Sequence, residues 1–331
     1  MTAEAATRGR EGEVPGVPVA TGGKPVAAGG RARAGVDRSG RIVDRLLRSH
    51  AILLFLFLYV PIGLVVLFSF NAGERTGELR GLSLRWYGRA LENPFAMNAL
   101  RNSLVVGAAT AVIATTLGTA AALGLQRAPR LLRTAVEVLT YVAIIIPGIV
   151  IGIATLIFFV NLFDWLNPWL AWFASLGGGA PVALGTGLHT IVAAHVVFTL
   201  AIVLVLVRAR LAGMDRSLVE ASMDLYATPW RTLVQITLPQ LRPAILAGAL
   251  LSFTFSFDDY IVASFVQGPG QGTLPLYVFG SIRRGITPEI NAIGTMILLT
   301  TLTMLAVVYV IFWRSARQAR RLALASQRVE E

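Results

Sequence analysis

Residues Ala51–Phe70 read AILLFLFLYVPIGLVVLFSF, twenty consecutive positions without a charge. About 20 apolar residues are what a helix needs to cross the hydrocarbon core of a bilayer. The run starts fifty residues into the chain, and no small-x-small cleavage site follows it, so it reads as a span and not as a secretory signal. Further runs of the same kind cover Ser103–Leu125, Val138–Val160, Thr190–Val207, Ala244–Phe265 and Ala292–Trp313. The fourth contains His195 and the fifth contains Asp258 and Asp259; the others are uncharged. The chain is therefore read as an all-α, polytopic membrane protein with six transmembrane helices.

Composition agrees with that reading. Of the 331 residues, 55 % are hydrophobic and only 14 % charged, against about 25 % charged in a soluble domain. Mean hydropathy is +0.67, too high for a largely disordered chain. There is no cysteine, which removes disulfides, thiolate metal ligands and cysteine nucleophiles together.

The net charge of +11 is explained by where the basic residues fall. The segments before span one, between spans two and three, between four and five, and after six hold 22 of the 29 Arg and Lys residues; the alternate segments hold 7. Positive residues collect on the cytoplasmic side, so both termini are expected in the cytoplasm. No folded soluble domain is left to bind nucleic acid.

The segment 1–48, rich in Gly, Ala, Arg and Pro, is expected as a disordered basic cytoplasmic tail, and 314–331 as a second basic tail. Between them, 49–313 forms the membrane domain. Trp165, Trp169 and Trp172 share one face of an expected short helix over Asp164–Leu176 lying in the outer headgroup layer, and Trp313 closes span six at the other interface. Pro61 and Pro147-Gly148 predict kinks in spans one and three. Glu137 is expected to pair with Arg133 one turn earlier.

The loop 208–243 is too long for a turn and carries two helix starts. Ser217 and Glu220 fit a capping box, with Asp215 as a competing cap, and Thr228-Pro229 fits an N-cap followed by proline at the first helical position. Leu238-Pro239 and Arg242-Pro243 are expected to break the second helix before span five. The first helix carries Glu220 and Asp224 one turn apart among Val219, Ala221 and Leu225. Helices this short must pack on something: either the membrane domain alone or a cytoplasmic subunit.

Glu220-Ala221-Ser222, three residues, Tyr226, nine residues, then Ile236-Thr237-Leu238-Pro239 resembles the loop of ABC importer permeases that reads EAA, three residues, Gly, nine residues, I-x-L-P. It also stands before the penultimate span, as in that family. Two positions depart: Ser222 replaces alanine, and Tyr226 replaces a glycine at a turn where positive φ disfavours a bulky residue. The resemblance continues through Leu82–Tyr87, Arg101–Leu104, Ser256–Tyr260, Gly268–Gly270, Thr273–Leu276 and Thr287–Ala292. It covers roughly 50–320 and is nearest to the second permease subunit of spermidine/putrescine importers. It implies a type I importer permease fold in the bacterial inner membrane and an ATPase-docking role for Glu220, Ala221, Ser222, Asp224, Tyr226, Ile236, Leu238 and Pro239. The implied partners are a related permease, a dimer of cytoplasmic ATP-binding subunits and an extracytoplasmic binding protein. The chain itself is expected to bind no cofactor, the ATP being used by the partner ATPase.

Asp258 and Asp259 are the carboxylates inside an expected span. Ionisable groups at membrane depth face an aqueous cavity or a partner. One reading places Asp258 or Asp259 on a translocation path for a polycation, with Phe257 and Tyr260 offering aromatic faces; the other has them capping a helix break or pairing with Arg283 or Arg284. His195 is expected to be a hydrogen-bonded packing residue and not a ligand, since no Cys, His or carboxylate falls at metal spacing around it, and no metal site is expected. A membrane enzyme would need a nucleophile–base pair or metal cluster, and the three histidines provide none. No phosphate loop of the GxxxxGK[ST] type occurs, so the chain is not its own motor. A secondary transporter would show inverted repeats and several buried charges. Opines, phosphonates and ferric ions are the alternative substrates of permeases with a similar pattern.

Overall fold

The computed structural model describes residues 33–75, 77–176, 183–215, 217–285 and 287–327. In chain order the helices are α1 (Arg33–Ser69), α2 (Arg85–Glu92), α3 (Pro94–Gly124), α4 (Arg130–Ile145), α5 (Gly148–Leu176), α6 (Leu188–Ala212), α7 (Ser217–Asp224), α8 (Pro229–Thr232), α9 (Leu238–Asp258), α10 (Ile261–Val266), α11 (Leu274–Arg284) and α12 (Pro288–Gln327). One π-helical turn, Leu233–Thr237, joins α8 to α9. Among the described residues there is no strand, only an isolated bridge between Asn71 and Leu82. Among the described residues, six helical stretches are long and apolar enough to span a bilayer: Val43–Ser69, Pro94–Gly124, Gly148–Leu176, Leu188–Ala212, Pro229–Asp258 and Pro288–Val307.

Residues Pro61–Glu331 form one compact unit, and its centre is the packing of α3, α6 and α9. Helices in a membrane gain no hydrophobic drive from one another, so close approach through small residues does the work. The buried face of α3 carries Ala99, Ser103, Thr110, Ala114, Gly118 and Ala122. Val203 of α6, fully buried, sits between two glycines. A Cβ at Gly118 would stand 2.8 Å from Val203 Cβ and 3.2 Å from the Leu200 carbonyl, and one at Gly248 of α9 would stand 3.2 Å from both Val203 methyls. Val106, Ile151, Ile191, Val262 and Val266 make a second cluster, where α5 and α10 close on α3 and α6. Ala90, Ala96, Phe257, Leu274 and Ile293 make a third, where α2, α11 and α12 meet α3 and α9.

Several boundaries differ from the sequence reading, each for a local reason. The expected third run is two helices, because Pro147 has no N–H to donate and forces Ile146 into extended geometry (φ −59, ψ 130). The third span is Gly148–Leu176, and Asp164–Leu176 continues it through Pro168 instead of forming a separate interfacial helix. The fifth span stops at Asp258, and α10 follows as its own short helix. Pro239 and Pro243 do not end the helix before span five: Pro229 to Asp258 is continuous. Residues 33–48, expected as tail, belong to α1; a span supplies the costly helix nucleus, and propagation outward then needs only one bond per residue. α12 likewise runs through Arg314 to Gln327. The remainder of the two expected tails, 1–32 and 328–331, lies outside the described residues.

Candidate functional sites

The loop between α6 and α9 is built almost wholly from local bonds. Asp215 Oδ1 accepts the Ser217 N–H at 2.9 Å, so the competing cap starts α7. That N–H, and then the Ser217 hydroxyl, hold the Asp215 carboxyl below its usual range. At the other end of α7, Tyr226 N–H donates to the Met223 carbonyl at 2.9 Å and Ala227 N–H to the Ser222 carbonyl at 3.1 Å. These are the paired bonds of a Schellman ending, with Tyr226 at the left-handed position. Its φ is +57, the only positive value at a described non-glycine residue. The left-handed conformation costs an L-residue roughly 1–2 kcal/mol, so the family's glycine has a physical reason that this chain overrides.

Thr228 caps α8, its Oγ1 accepting from the Arg231 N–H at 3.4 Å with Pro229 at the first position. The other departure, Ser222, is buried and places its Oγ 2.8 Å from Thr232 Oγ1, tying α7 to α8. Alanine could not make that bond. Ile236, Leu238 and Pro239 fall on the π turn and the start of α9, half-buried. The wide turn puts the Leu238 N–H on the Leu233 carbonyl and carries the helix past Pro239, which has no N–H of its own. Glu220, Ala221, Asp224 and Tyr226 point to solvent. The loop is anchored beneath by Arg210, whose Nε donates to the Gln240 carbonyl at 3.2 Å. Arg208 pairs with Glu137 of α4. The expected Glu137–Arg133 pair is absent: Arg133 instead donates to the Leu125 and Gln126 carbonyls at the end of α3.

The second site is the break between α9 and α10. Asp259 Oδ2 accepts the Ala263 N–H at 2.9 Å, capping α10, and lies 3.2 Å from His195 Nε2. His195 is fully buried, and its Nδ1 meets Ser256 Oγ at 2.7 Å. Ser256 Oγ is in turn 3.3 Å from Thr110 Oγ1. His195 therefore stands between Asp259 and Ser256, with one ring nitrogen on each. The chain Thr110–Ser256–His195–Asp259 thus links α3, α9 and α6 at the point where the helix opens. Asp259 retains 16 % side-chain exposure and forms the acidic point of a cavity of about 240 Å³ lined by Ile144, Ile146, Ile151, Phe198 and Ile202.

The four residues expected on a translocation path are separated by this geometry. Phe257 is buried against Phe253, ring centroids 5.6 Å apart, and has no face to offer. Asp258 is exposed and turned to α12, 3.5 Å from Thr301 Oγ1. Tyr260 stacks on Phe279 at 4.2 Å, with Arg283 over the far ring at 5.3 Å, beside a second cavity of about 540 Å³. The expected partners Arg283 and Arg284 are not on the aspartates; His195, buried and hydrogen-bonded as expected, is on Asp259. The sequence signal for this pair is weak, because 64 positions separate the two residues.

The outer motifs converge on one another. Asn102 Nδ2 donates to the Gly272 carbonyl at 3.0 Å, and the Leu274 N–H donates to Ser103 Oγ at 2.8 Å. Asn93 Nδ2 reaches both Tyr277 OH and Glu289 Oε1, at 3.0 and 2.9 Å. Gly268 passes so close to the Thr186 carbonyl that a Cβ would lie 2.2 Å from its oxygen. Asn71 uses its amide four times, on Gly73, Arg75, Glu78 and Arg80, and Trp86 Nε1 donates to its carbonyl at 2.8 Å.

The profile of the family described as binding-protein-dependent transport system inner membrane component matches residues 114–323, which include the solvent-side loop and the α9–α10 break. The chain belongs to that family. It is an inner-membrane transport component of the permease type. Among curated relatives, the putrescine transport system permease protein PotI of Escherichia coli K12 is 41 % identical over 245 residues, 74 % of this chain and 82 % of that protein. The spermidine/putrescine transport system permease protein PotC of the same strain is 32 % identical over 264 residues, 80 % and 92 % of the two chains. Among solved structures, a chain of a bacterial ABC transporter involved in the import of the acidic polysaccharide alginate has the same fold, with a TM-score of 0.64. That chain is 17 % identical, and the match covers 87 % of this chain and 99 % of that one.

Proposed function

We propose that the chain is one of two related permease subunits of an ATP-driven importer of polyamines such as putrescine and spermidine. The observation that carries the substrate class is the extent of the likeness to PotI and PotC, which aligns over most of both relatives' length. An acidic group on an otherwise apolar cavity, Asp259, suits a polycationic solute. In this reading a binding protein delivers the solute from outside, and Asp259 and Tyr260, with Asp258 nearby, line its route. Both termini lie in the cytoplasm, as the basic-residue asymmetry supports.

The loop carrying Glu220, Asp224 and Tyr226 receives the push of the cytoplasmic ATPase and passes it across the turn at Leu225–Ala227, where Ser222 is tied to Thr232, to the continuous helix Pro229–Asp258. The far end of that helix is the break at Asp259, so a displacement of α8 reaches the His195–Asp259 pair along one helix. The test is reconstitution of this chain with its companion permease, ATPase and binding protein in proteoliposomes. ATP-dependent accumulation of labelled putrescine or spermidine is expected. Accumulation of an opine, phosphonate or ferric ion with neither polyamine would overturn the substrate class, and gradient-driven uptake without the ATPase would overturn the importer.

A further inference from the structure

We infer that Tyr226 and Trp230 form an aromatic contact that makes this loop selective for its own ATPase subunit; the inference rests on the docking reading above. Tyr226 combines two properties that are hard to reconcile in the isolated chain. Its backbone is held at φ +57, where glycine is unstrained and a Cβ is not. Its side chain is 97 % exposed, so no packing within this chain offsets that cost. A strained residue whose side chain touches nothing is explained by a contact made in the assembled protein.

The neighbours of Tyr226 point the same way. Leu225 is 82 % exposed and Trp230 71 % exposed, so three large apolar side chains stand in solvent within six positions. Tyr and Trp are the residues most enriched at interface hot spots. A lipid surface is the rival occupant, and length argues against it. Trp230 and Asp258 are 28 residues apart on one continuous helix, about 42 Å. The hydrocarbon core is about 30 Å thick. With Asp258 at or inside the outer edge of that core, Trp230 lies on the order of 10 Å beyond its inner edge, even at an ordinary tilt. The occupant that fits is a protein socket, apolar where it receives Tyr226 and Trp230 and basic where it meets Glu220 and Asp224. On the docking reading above, the subunit beneath this loop is the ATPase. A relative with glycine at this turn has no side chain to fill such a socket, which is why the contact discriminates.

The experiment uses the permease pair in nanodiscs and two purified ATPase subunits, the cognate one and one whose own permease carries glycine at this turn. Tyr226→Gly should weaken cognate binding at least tenfold, leave binding of the glycine-type subunit equal or stronger, and leave thermal stability equal or higher, which excludes misfolding. Tyr226→Phe should retain cognate affinity. Unchanged cognate affinity in Tyr226→Gly overturns the inference. If Glu220→Ala then weakens binding, docking stands and only selectivity falls; if neither variant has an effect, the docking reading falls with it. Because the chain has no cysteine, Tyr226→Cys provides a single thiol. It should react with a water-soluble maleimide in the nanodisc and be protected by the ATPase. Protection by the bilayer alone would assign the patch to lipid and overturn the inference.

Discussion

The chain interrupts a helix at Leu225–Ala227 and again at Asp259–Tyr260, and the two breaks are held in different ways. The first is closed by bonds among residues 222–232, all within one loop. The second has one local cap, the Ala263 N–H on Asp259, and is otherwise held by side chains 61, 64 and 146 positions apart, on three helices. Outside the membrane, water competes for every polar group, and a turn persists only where its own backbone satisfies itself. Inside the bundle there is no such competitor, so an opened backbone needs a partner brought by another helix. The solvent-side break can therefore be altered without disturbing the bundle, whereas the inner one cannot.

The largest test of that contrast is His195→Ala. It removes a shared partner of Asp259 and Ser256, leaving Asp259 with the Ala263 N–H and Ser256 with Thr110, and the loss of a bond to a buried polar group costs about 1–3 kcal/mol. We expect a lowered melting temperature of the purified permease pair and polyamine uptake reduced at least about tenfold, a change of 1.4 kcal/mol. Asp259→Asn should match that uptake loss with less effect on melting, because the amide still accepts from Ala263. The double replacement of Asp258 and Asp259 by Asn should do little more than Asp259→Asn alone. Normal uptake by the double variant would remove the acidic site from the route, and stability unaffected by His195→Ala would erase the distinction between the breaks.

Next in size is Gly118→Ala. The added methyl meets Val203 Cβ at 2.8 Å, and Val203 has no room to retreat because Gly248 faces its other side. Overpacking of this kind costs about 1–3 kcal/mol. At Gly213, which caps α6 where the chain leaves the membrane, a Cβ would find nothing closer than 3.9 Å. Gly213→Ala should change melting by less than about 0.5 kcal/mol. Equal losses at the two positions would mean that the bundle is no tighter than its margin.

The same division decides what the sequence disclosed. Spans, caps and the loop motif are patterns over a few to twenty residues: Thr228-Pro229 opens its helix as expected, and at the first helix the competing cap Asp215 takes the Ser217 N–H where a Ser217–Glu220 box was expected. The broken third run was visible at Pro147 but read as a kink, because apolar residues on both sides hide the boundary when hydropathy is the only guide. Pro239 misled in the other direction: proline near a helix start is tolerated, and a π turn is not written in residue type. The His195–Asp259 pair was not legible at all, since a contact between spans four and five depends on helix rotation. The burial of Phe257 depends on the same rotation: Phe255 and Asp259, two positions to either side, line the smaller cavity while Phe257 packs on Phe253 in the core.

Ser222→Ala tests the local break from within. Restoring the family's alanine loses the 2.8 Å bond to Thr232 Oγ1, and Thr232 keeps only its longer contact with the Thr228 carbonyl at 3.3 Å. A neutral hydrogen bond is worth about 0.5–1.5 kcal/mol. Amide exchange over Met223–Arg231 should quicken by a corresponding factor of about 2–10, while the melting temperature of the bundle stays put. A global drop would show that the loop and the bundle unfold together.

The smallest effect belongs to Asp215 and is a matter of pH. Its carboxyl is held below the usual carboxylate range by the Ser217 N–H and hydroxyl. A group whose folded value is depressed adds stability that is present above the unfolded value and is lost as pH falls through the folded one. Near neutrality the cap is complete. On acidification below the ordinary carboxylate range, the Ser217 and Leu218 amides should exchange faster as the start of α7 loosens, and Asp215→Asn, which keeps an acceptor, should flatten that dependence. Because Asp215 is fully exposed, the change should stop within the first turn of α7. If instead the pH response reached Ala263, the backbone amide that Asp259 caps, the two breaks would share a titration, and the separation between local and long-range closure would fail at its weakest point.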